Sequence, residues 1–132
     1  MIFVDTNVFL CALFPRVHGK RAISCQEFLQ KIEDGDSRAV TSILVLSEIA
    51  WFLKRHGRSR EETASAIGEF DMTGLKLIEG DILPSVLSLF MNSTMGWNDC
   101  VLAILAQNFG CDEITTYDQD FDHVDWLTRR EP

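Results

Sequence analysis

Short apolar segments alternate with longer segments of helical spacing along this chain of 132 residues. Met1 to Val4 is apolar and ends at Asp5-Thr6-Asn7, which is typical of a short buried strand followed by a turn. Further strands are predicted at residues 39–41, 75–78, 113–117 and 126–128, with amphipathic helices between them. Strands that alternate with helices favour an α/β fold, in which a parallel sheet is covered by helices on both faces.

Helices are predicted where apolar residues recur at helical spacing between recognisable ends. The predicted helices cover residues 8–14, 21–33, 42–56, 59–70, 81–91 and 98–109. The third is apolar nearly all round, and Ser59-x-x-Glu62 is a capping-box pattern that begins the fourth. Because no repeat or linker interrupts this order, we expect residues 1–132 to form a single domain.

The composition is that of an ordinary globular domain and excludes several other classes. Hydrophobic residues make up 46% of the chain and charged residues 24%, with 8 Gly and 3 Pro, which argues against a disordered or fibrous protein. The apolar runs at residues 43–46 and 49–53 are too short to span a bilayer, so no membrane partner is expected. No basic region precedes the first apolar segment, as it would in a signal peptide, and the expected compartment is the cytoplasm.

The cysteines, the histidines and the net charge limit the kinds of binding site that the chain can contain. The four cysteines form no C-x-x-C pair and the three histidines lie in separate segments, so we expect no structural zinc, and thiols that are reduced and mostly buried. The formal charge is −8, with nine basic and eight acidic residues in 1–66 but three and twelve in 67–132. A chain this acidic binds a nucleic acid only if bound cations or local basic patches reverse its field.

Three acidic residues follow predicted strands. Asp5 comes directly after the first strand, and Asp118 and Asp120 follow the strand at 113–117. Ligands bind at the carboxyl ends of parallel strands, so all three are well placed for binding. The structural alternative for Asp5 is a turn aspartate whose side chain caps the next helix. The structural alternative for Asp118 and Asp120 is a solvated acidic loop, which explains Asp122 and Asp125 better than it explains these two.

Two further acids lie in apolar helical segments. Glu48 is in the helix that has almost no solvated face, where an ionised carboxylate is costly unless it is paired or binds a cation. A buried Glu–Arg pair, or a helix edge that reaches solvent, is the alternative to a metal role for Glu48. Asp99 begins an apolar helix, where an acid in the first turn also interacts favourably with the helix dipole.

Together these acids predict a site for hard divalent cations. Several carboxylates that converge at one edge of a parallel sheet repel each other unless cations are bound. Mg²⁺ and Mn²⁺ prefer oxygen ligands, and no His or Cys accompanies the acids. Such ions activate water and stabilise the oxygens of a phosphodiester during hydrolysis, so no protein nucleophile is needed. The chain indeed has no G-x-S-x-G, P-loop or Gly-rich dinucleotide turn.

Four motifs, in this order and rough spacing, resemble the PIN domain family, and in particular the small VapC-type toxins of toxin–antitoxin pairs. They are Ile2 to Asn7, Ser47-Glu48, Asp99 to Ala106, and Thr116 to Phe121. The resemblance spans the whole chain and implies a three-layer α/β/α sandwich with a central, mainly parallel sheet and a Mg²⁺- or Mn²⁺-dependent ribonuclease site. It also implies a homodimer and a small VapB-like antitoxin whose C-terminal segment fills the active groove.

The resemblance implies roles for individual residues as well. Asp5, Glu48 and Asp99 match the three best-defined acids of the family, and Asp118 matches the fourth, with Asp120 as an alternative or auxiliary metal ligand. Thr6 and Thr116 match polar positions near the metal site. The residues expected to contact RNA are basic: Lys54, Arg55, Arg58 and Arg60, with Lys20, Arg21, Arg129 and Arg130 as further candidates. For each of them, charge at a helix end and solvation are the structural alternative.

Two other functions fit parts of the pattern. A response-regulator receiver needs a phosphoacceptor aspartate after a middle strand and a lysine after a late one, but Asp36 and Asp71 are poorly placed and no lysine follows Lys76. A PIN-like fold retained as a catalytically weak or inactive partner-binding module is the second alternative. All four acid positions are filled, which favours the metal-dependent ribonuclease over this module.

Overall fold

Helices alternate with parallel strands in the computed structural model, which describes residues 1–132. Contacts divide the chain into unit 1 (residues 1–80) and unit 2 (residues 81–132). The strands are β1 (Ile2–Phe3), β2 (Ala39–Ser42) and β3 (Leu75–Ile78) in unit 1, and β4 (Glu113–Thr115) and β5 (Thr128–Arg130) in unit 2. All strand pairs are parallel, so the expected α/β class is confirmed, and each unit has its own sheet.

The helices follow the predicted segments closely. They are α1 (Thr6–Leu13), α2 (Pro15–His18), α3 (Lys20–Glu33), α4 (Ile43–Arg55), α5 (Arg60–Gly68), α6 (Leu83–Asn92) and α7 (Trp97–Asn108), with 3-10 helices at Gly80–Ile82 and Gln119–His123. Each predicted helix begins and ends within two residues of an observed one. Only α2 was not expected, because Pro15 begins this helix and does not merely end the previous one.

The sheet of unit 1 has the order β1-β2-β3, and its hydrogen bonds fix the start of the acidic motif. Val4, which follows β1, donates its N–H to the Val40 carbonyl at 2.9 Å. The hydroxyl of Thr41, which is 0% exposed, donates to the Val4 carbonyl at 3.0 Å. Both polar backbone groups of Val4 are therefore bound to β2, and this fixes the backbone immediately before Asp5.

Close contact between two backbone segments requires a glycine at position 74. The Gly74 N–H donates to the Ile32 carbonyl, and the Gly74 carbonyl accepts from the Ala39 N–H, both at 2.9 Å. A Cβ at position 74 would lie 2.2 Å from the carbonyl oxygen of Ser37 and 2.6 Å from that of Ile32. The end of α3 and the start of β2 are thus tied to the chain that enters β3.

Burial of apolar helix faces stabilises unit 1. Helix α1 packs on α3, and α4 packs on α5. The rings of Phe9 and Phe70 meet with centroids 4.5 Å apart. The most deeply buried apolar residues are Val4, Ala22, Ile32, Leu46, Ile49 and Ile67. Each large aliphatic side chain buried in this way contributes about 1.5–3 kcal/mol.

Helix α4 has a solvent-exposed face, so the prediction that it has almost no solvated face was wrong, although apolar residues do occur nearly all round it. Leu44 is 66% exposed and Trp51 56% exposed. Glu48 and Arg55 share this face and are exposed too. Apolar residues on the exposed face gave this amphipathic helix the sequence pattern of a buried one.

Unit 2 is built from β4, β5, α6 and α7. Glu113 lies opposite Thr128 in the two-stranded sheet, and α6 packs on α7. The rings of Phe90 and Trp97 meet edge to face, with centroids 5.4 Å apart. Other buried apolar residues are Val86, Met95, Val101, Ala103, Ile104, Phe121 and Leu127. None of the helices in either unit has both the length and the apolar character that crossing a bilayer requires.

Candidate active site

Three carboxylates meet in unit 2. Asp99, Asp118 and Asp120 each place one carboxylate oxygen within 4.8 Å of the other two. Asp99 is half-buried, and the other two are exposed. Of the acids expected to bind metal, these are the three that the structure brings together.

Asp99 lies in the first turn of α7, and the helix start fixes its position. Gly96, in an extended conformation, is the N-cap. Its carbonyl accepts the N–H of Cys100, a fully buried residue that fixes the first turn. The Cβ that a side chain would add at position 96 lies 3.5 Å from Asp99 Oδ2, so this carboxylate lies beside the N-terminus of α7. The helix dipole favours negative charge at that end.

A hydrogen-bonded turn holds the other two aspartates. The side chain of Asp118 caps the 3-10 helix at 119–123 by accepting the N–H of Asp120 at 2.9 Å. Thr116, expected as an auxiliary polar residue, accepts the N–H of Asp118 through its hydroxyl at 3.0 Å. Asp118 is extended and Asp120 lies in the 3-10 helix, so the two aspartates share one capped turn. The buried ring of Phe121 anchors the short helix.

Both basic residues of unit 2 are bound to carboxylates outside this cluster. Arg129 donates to Asp122 at 2.9 Å and to Glu131 at 3.0 Å. These hydrogen bonds, that to Asp122 above all, raise the pKa of Arg129. Arg130 donates to Glu113 at 2.7 Å. Three carboxylates as close as those of the cluster repel each other, and a bound cation would relieve that repulsion.

Asp5 occupies the N-cap position of α1, but its side chain makes no capping hydrogen bond. The structural alternative for this residue, a turn aspartate that caps the helix through its side chain, is therefore not observed. The Asp5 carboxylate accepts instead from the side-chain amide of Asn7 at 3.2 Å. Asp5 is exposed, so its carboxylate is accessible from solvent.

Glu48 is bound by the neighbour of Asp5. The hydroxyl of Thr6, which is only 7% exposed, donates to Glu48 Oε2. Glu48 itself is exposed and takes part in no ion pair. Glu48 therefore forms no buried pair with an arginine. It lies instead on an edge of the helix that reaches solvent, which was the other structural alternative.

The basic residues expected to contact RNA lie at the end of α4 and the start of α5. Lys54 and Arg55 are exposed in the last turn of α4, where the helix dipole also favours a cation. The Arg55 guanidinium lies 4.8 Å from the ring centroid of Trp51. Arg58 pairs with Glu62 at 3.2 Å. Arg60 is the first residue of α5.

Sequence analysis missed the role of Thr41 in fixing the backbone before Asp5. A threonine in an otherwise apolar predicted strand was the available signal. An open groove of about 510 Å³ in unit 1 is lined in part by Phe14, Leu53, Arg58 and Glu62, and by none of the expected acids. The groove therefore does not mark the acidic site.

The comparison with protein families agrees with the motifs. The PIN domain family matches the chain over residues 2–127, which include all five candidate acids. No curated protein matches the chain. Among solved structures, a chain titled "Toxin-antitoxin complex from Klebsiella pneumoniae" is similar over 100% of both chains, with 19% identity and a TM-score of 0.36. At that TM-score the likeness informs neither fold nor function, and the family match is the informative finding.

Proposed function

The chain belongs to the PIN domain family, and from that premise we propose that it is a metal-dependent endoribonuclease that hydrolyses RNA phosphodiester bonds. PIN domains are generally nucleases, which sets the broad activity. The observation that carries the proposal is the group of carboxylate oxygens from Asp99, Asp118 and Asp120 within 4.8 Å of one another. Three carboxylates so arranged are suited to a hard divalent cation.

The proposed cofactor is Mg²⁺ or Mn²⁺. The donors of the cluster are all oxygens, whereas softer metals favour nitrogen or sulfur. Asp5 and Glu48 of unit 1 are proposed as further ligands because they match the acidic motifs of the family. Asp118 and Asp120 are both retained as ligands, since both lie in the cluster.

The acids act in this proposal as holders of cations and not as nucleophiles. Divalent cations, when bound, lower the pKa of water and stabilise the oxygens that gain charge during hydrolysis. Thr6 orients Glu48 through Oε2 and leaves Oε1 available as a ligand. Thr116 and the Asp118 cap keep the two turn aspartates in place without a metal, so that binding costs little reordering.

We also propose that residues 1–132 act as one PIN domain. The family match covers residues of both units, and each unit supplies acids that the motifs require. Removing acids from either unit should therefore abolish the same activity.

In the cell, the chain is proposed to be the toxin of a VapBC-type pair, acting in the cytoplasm as a homodimer and inhibited by a small VapB-like antitoxin. Support comes from the order and spacing of the four motifs. A catalytically weak or inactive partner-binding module is the competing function, and the filled acid positions argue against it.

The decisive experiment measures cleavage of an end-labelled RNA of mixed sequence with added Mn²⁺ and with a chelator. Asp5→Asn and Asp99→Asn should each reduce cleavage by about 100-fold or more while the melting temperature is kept. Asp36→Asn, which neutralises an exposed turn residue outside both groups of acids, should cleave as the wild type does. Calorimetric titration of Mn²⁺ into chelator-stripped protein should show saturable binding that Asp5→Asn weakens.

Each proposal has its own contrary outcome. Cleavage that survives the chelator and both Asn substitutions would contradict the metal-dependent mechanism. A folded wild type that neither binds Mn²⁺ nor cleaves RNA, and that is free of a co-purified partner on a gel, would favour the binding module.

A further inference from the structure

An indole ring lies exposed to solvent one helical turn from Glu48 on α4. Trp51 is 56% exposed, although its ring is among the largest apolar surfaces that a side chain can offer. We propose that Trp51 is the residue on which an unpaired base of the RNA stacks, so that the chain binds single-stranded RNA more tightly than duplex RNA. This inference rests on the proposed function and adds a substrate-binding residue to it.

The spacing along α4 places the ring beside a proposed metal ligand. Residues three positions apart on a helix share one face, with their Cβ atoms about 5–6 Å apart. Trp51 follows Glu48 by three positions, and its Cα–Cβ bond tilts toward the N-terminus of α4, which is the direction of Glu48. A nucleotide bound at Glu48 can therefore lay its own base, or that of its neighbour, on this ring.

The charges around the ring favour RNA over a protein partner. The guanidinium of Arg55, one further turn along α4, lies 4.8 Å from the centroid of the Trp51 ring. Lys54 and Arg55 are both exposed, and neither takes part in an ion pair. Proteins bind single-stranded nucleic acids with this combination, an aromatic ring for the base and cations for the phosphates. An apolar protein surface over the ring would have to bury the charge of Arg55, which is costly without a partner.

Stacking on Trp51 would distinguish unpaired from paired RNA. The bases of a single strand can turn outward and stack on an aromatic side chain, whereas those of a duplex are stacked on one another inside the helix. A duplex can still place its phosphates near Lys54 and Arg55, because that attraction does not depend on base faces. We therefore expect duplex RNA to bind more weakly than a single strand, and its affinity to be independent of Trp51.

Equilibrium binding to the full chain tests this inference without cleavage. Fluorescence anisotropy measures the affinity for a labelled single-stranded RNA whose sequence cannot pair with itself, and for a duplex of the same length. Ca²⁺ replaces Mg²⁺ and Mn²⁺, because it also takes oxygen ligands but holds them at longer distances, and a denaturing gel checks that the RNA stays intact. Trp51→Leu keeps an apolar side chain but removes the ring. It should lower the affinity for the single strand by about 5- to 100-fold and leave that for the duplex unchanged.

Three further variants separate stacking from other causes. Trp51→Phe keeps an aromatic ring and should retain most of the affinity for the single strand. Leu44→Ala removes another exposed apolar side chain from the same face of α4 and should bind as the wild type does. In Trp126→Phe, Trp51 is the one exposed tryptophan, since Trp97 is only 6% exposed. Single-stranded RNA should quench the tryptophan emission of this variant, which needs no substitution at position 51.

The possible failures can be told apart. Equal affinities of the wild type and Trp51→Leu for single-stranded RNA would overturn the inference and leave the ribonuclease proposal standing. An equal loss of affinity for the duplex, or in Leu44→Ala, would overturn it as well, because the face would then bind RNA without stacking. A wild-type dimer that Trp51→Leu converts to a monomer in sedimentation would show that a second copy covers the ring. A folded wild type that binds neither form of RNA would overturn both this inference and the proposed function.

Discussion

The hydroxyl of Thr6 donates a hydrogen bond to the carboxylate of Glu48, which lies 42 residues away in the sequence. Thr6 is also the first residue of α1 and follows Asp5 directly. The bond therefore connects the first acidic motif to the second within unit 1, and it restrains a carboxylate that is otherwise exposed on α4.

Substituting Thr6 should weaken metal binding and leave most of the stability intact. In Thr6→Val the hydroxyl is lost at nearly constant volume, and we expect the affinity for Mn²⁺ and the rate of RNA cleavage to fall by about 10- to 100-fold. Thr6→Ser keeps the hydroxyl and should retain most of both. Calorimetric titration measures the Mn²⁺ affinity of both variants, and a cleavage assay measures their rates. Equal activity in the two variants would show that the hydroxyl does not orient Glu48 for metal binding.

Two acids of the same turn should respond in opposite ways to neutralisation. Without metal, Asp120→Asn removes a charge from the carboxylate cluster, so its melting temperature should equal or exceed that of the wild type. Asp122→Asn weakens the ion pair to Arg129, whose side chain is 15% exposed, and should lower the melting temperature. Thermal melts in a chelator, repeated with Mn²⁺, should show metal-induced stabilisation that is reduced in Asp120→Asn only. A lower melting temperature for metal-free Asp120→Asn would contradict the repulsion.

A methyl group at position 74 should destabilise unit 1. Its clash with two carbonyl oxygens forces the backbone apart, and we expect Gly74→Ala to lower the free energy of unfolding by about 1–3 kcal/mol. Gly68→Ala is the matched control, because position 68 ends α5 and has open space around its Cβ, so that it should be neutral or stabilising by up to about 1 kcal/mol. Urea unfolding measures the free energy of unfolding of both variants. The steric argument fails if Gly74→Ala is as stable as the wild type.

Alkylation of Cys25 should need a higher pH in the folded protein than in the unfolded chain. Burial and the neighbouring Cys11 raise the pKa of its thiol, so less thiolate is present at a given pH and iodoacetamide reacts more slowly. Because the pKa of the Cys25 thiol is raised in the folded state, it contributes stability below the unfolded pKa, and this stability is lost as the pH rises through the folded pKa. Rates for the Cys25 peptide between pH about 7 and 10, with and without urea, measure the shift. Coincident pH profiles would contradict it.

Neutralising the end of α4 should weaken RNA binding without altering chemistry at the acids. We expect Lys54→Gln combined with Arg55→Gln to raise KM, to leave kcat nearly unchanged, and to reduce the salt dependence of binding by about one or two phosphate contacts. Lys76→Gln changes an exposed cation on β3 and should behave as the wild type. An unchanged KM in the double variant would show that these cations do not contact RNA and only interact with the dipole of α4.

Much of the fold could be predicted because its local signals are direct. The Ser59 hydroxyl accepts the Glu62 N–H at 3.1 Å, as the capping-box pattern predicts, and α5 begins where that pattern places it. Residues 75–78 form β3 as expected. The face of α4 could not be predicted, because Leu44 and Trp51 are apolar but exposed, and composition alone does not show which side of a helix meets the core.

The candidate site, like the fold, could be predicted from the sequence in part. Asp99, Asp118 and Asp120 were identified from their positions after a strand and at a helix start, and the structure brings them together. The local geometry of the turn could not be predicted, since the Asp118 cap depends on backbone angles that the letters D-Q-D do not specify. Contacts between helices, such as the hydrogen bond from Gln26 on α3 to the carbonyl of Ala12 on α1, depend on how helices pack and have no signature in residue spacing.

The order of the elements along the chain has a consequence for synthesis. Every strand of the sheet in unit 1 has been made once Ile78 is added, whereas the clustered carboxylates come from residues 99–120. Chains fold from the N-terminus as they are made, at about 5–20 residues per second. A nascent chain thus contains every strand of the β1-β2-β3 sheet seconds before it possesses the turn at 118–120. The proposed hydrolytic centre includes that turn, so it stays incomplete while most of the chain is being translated.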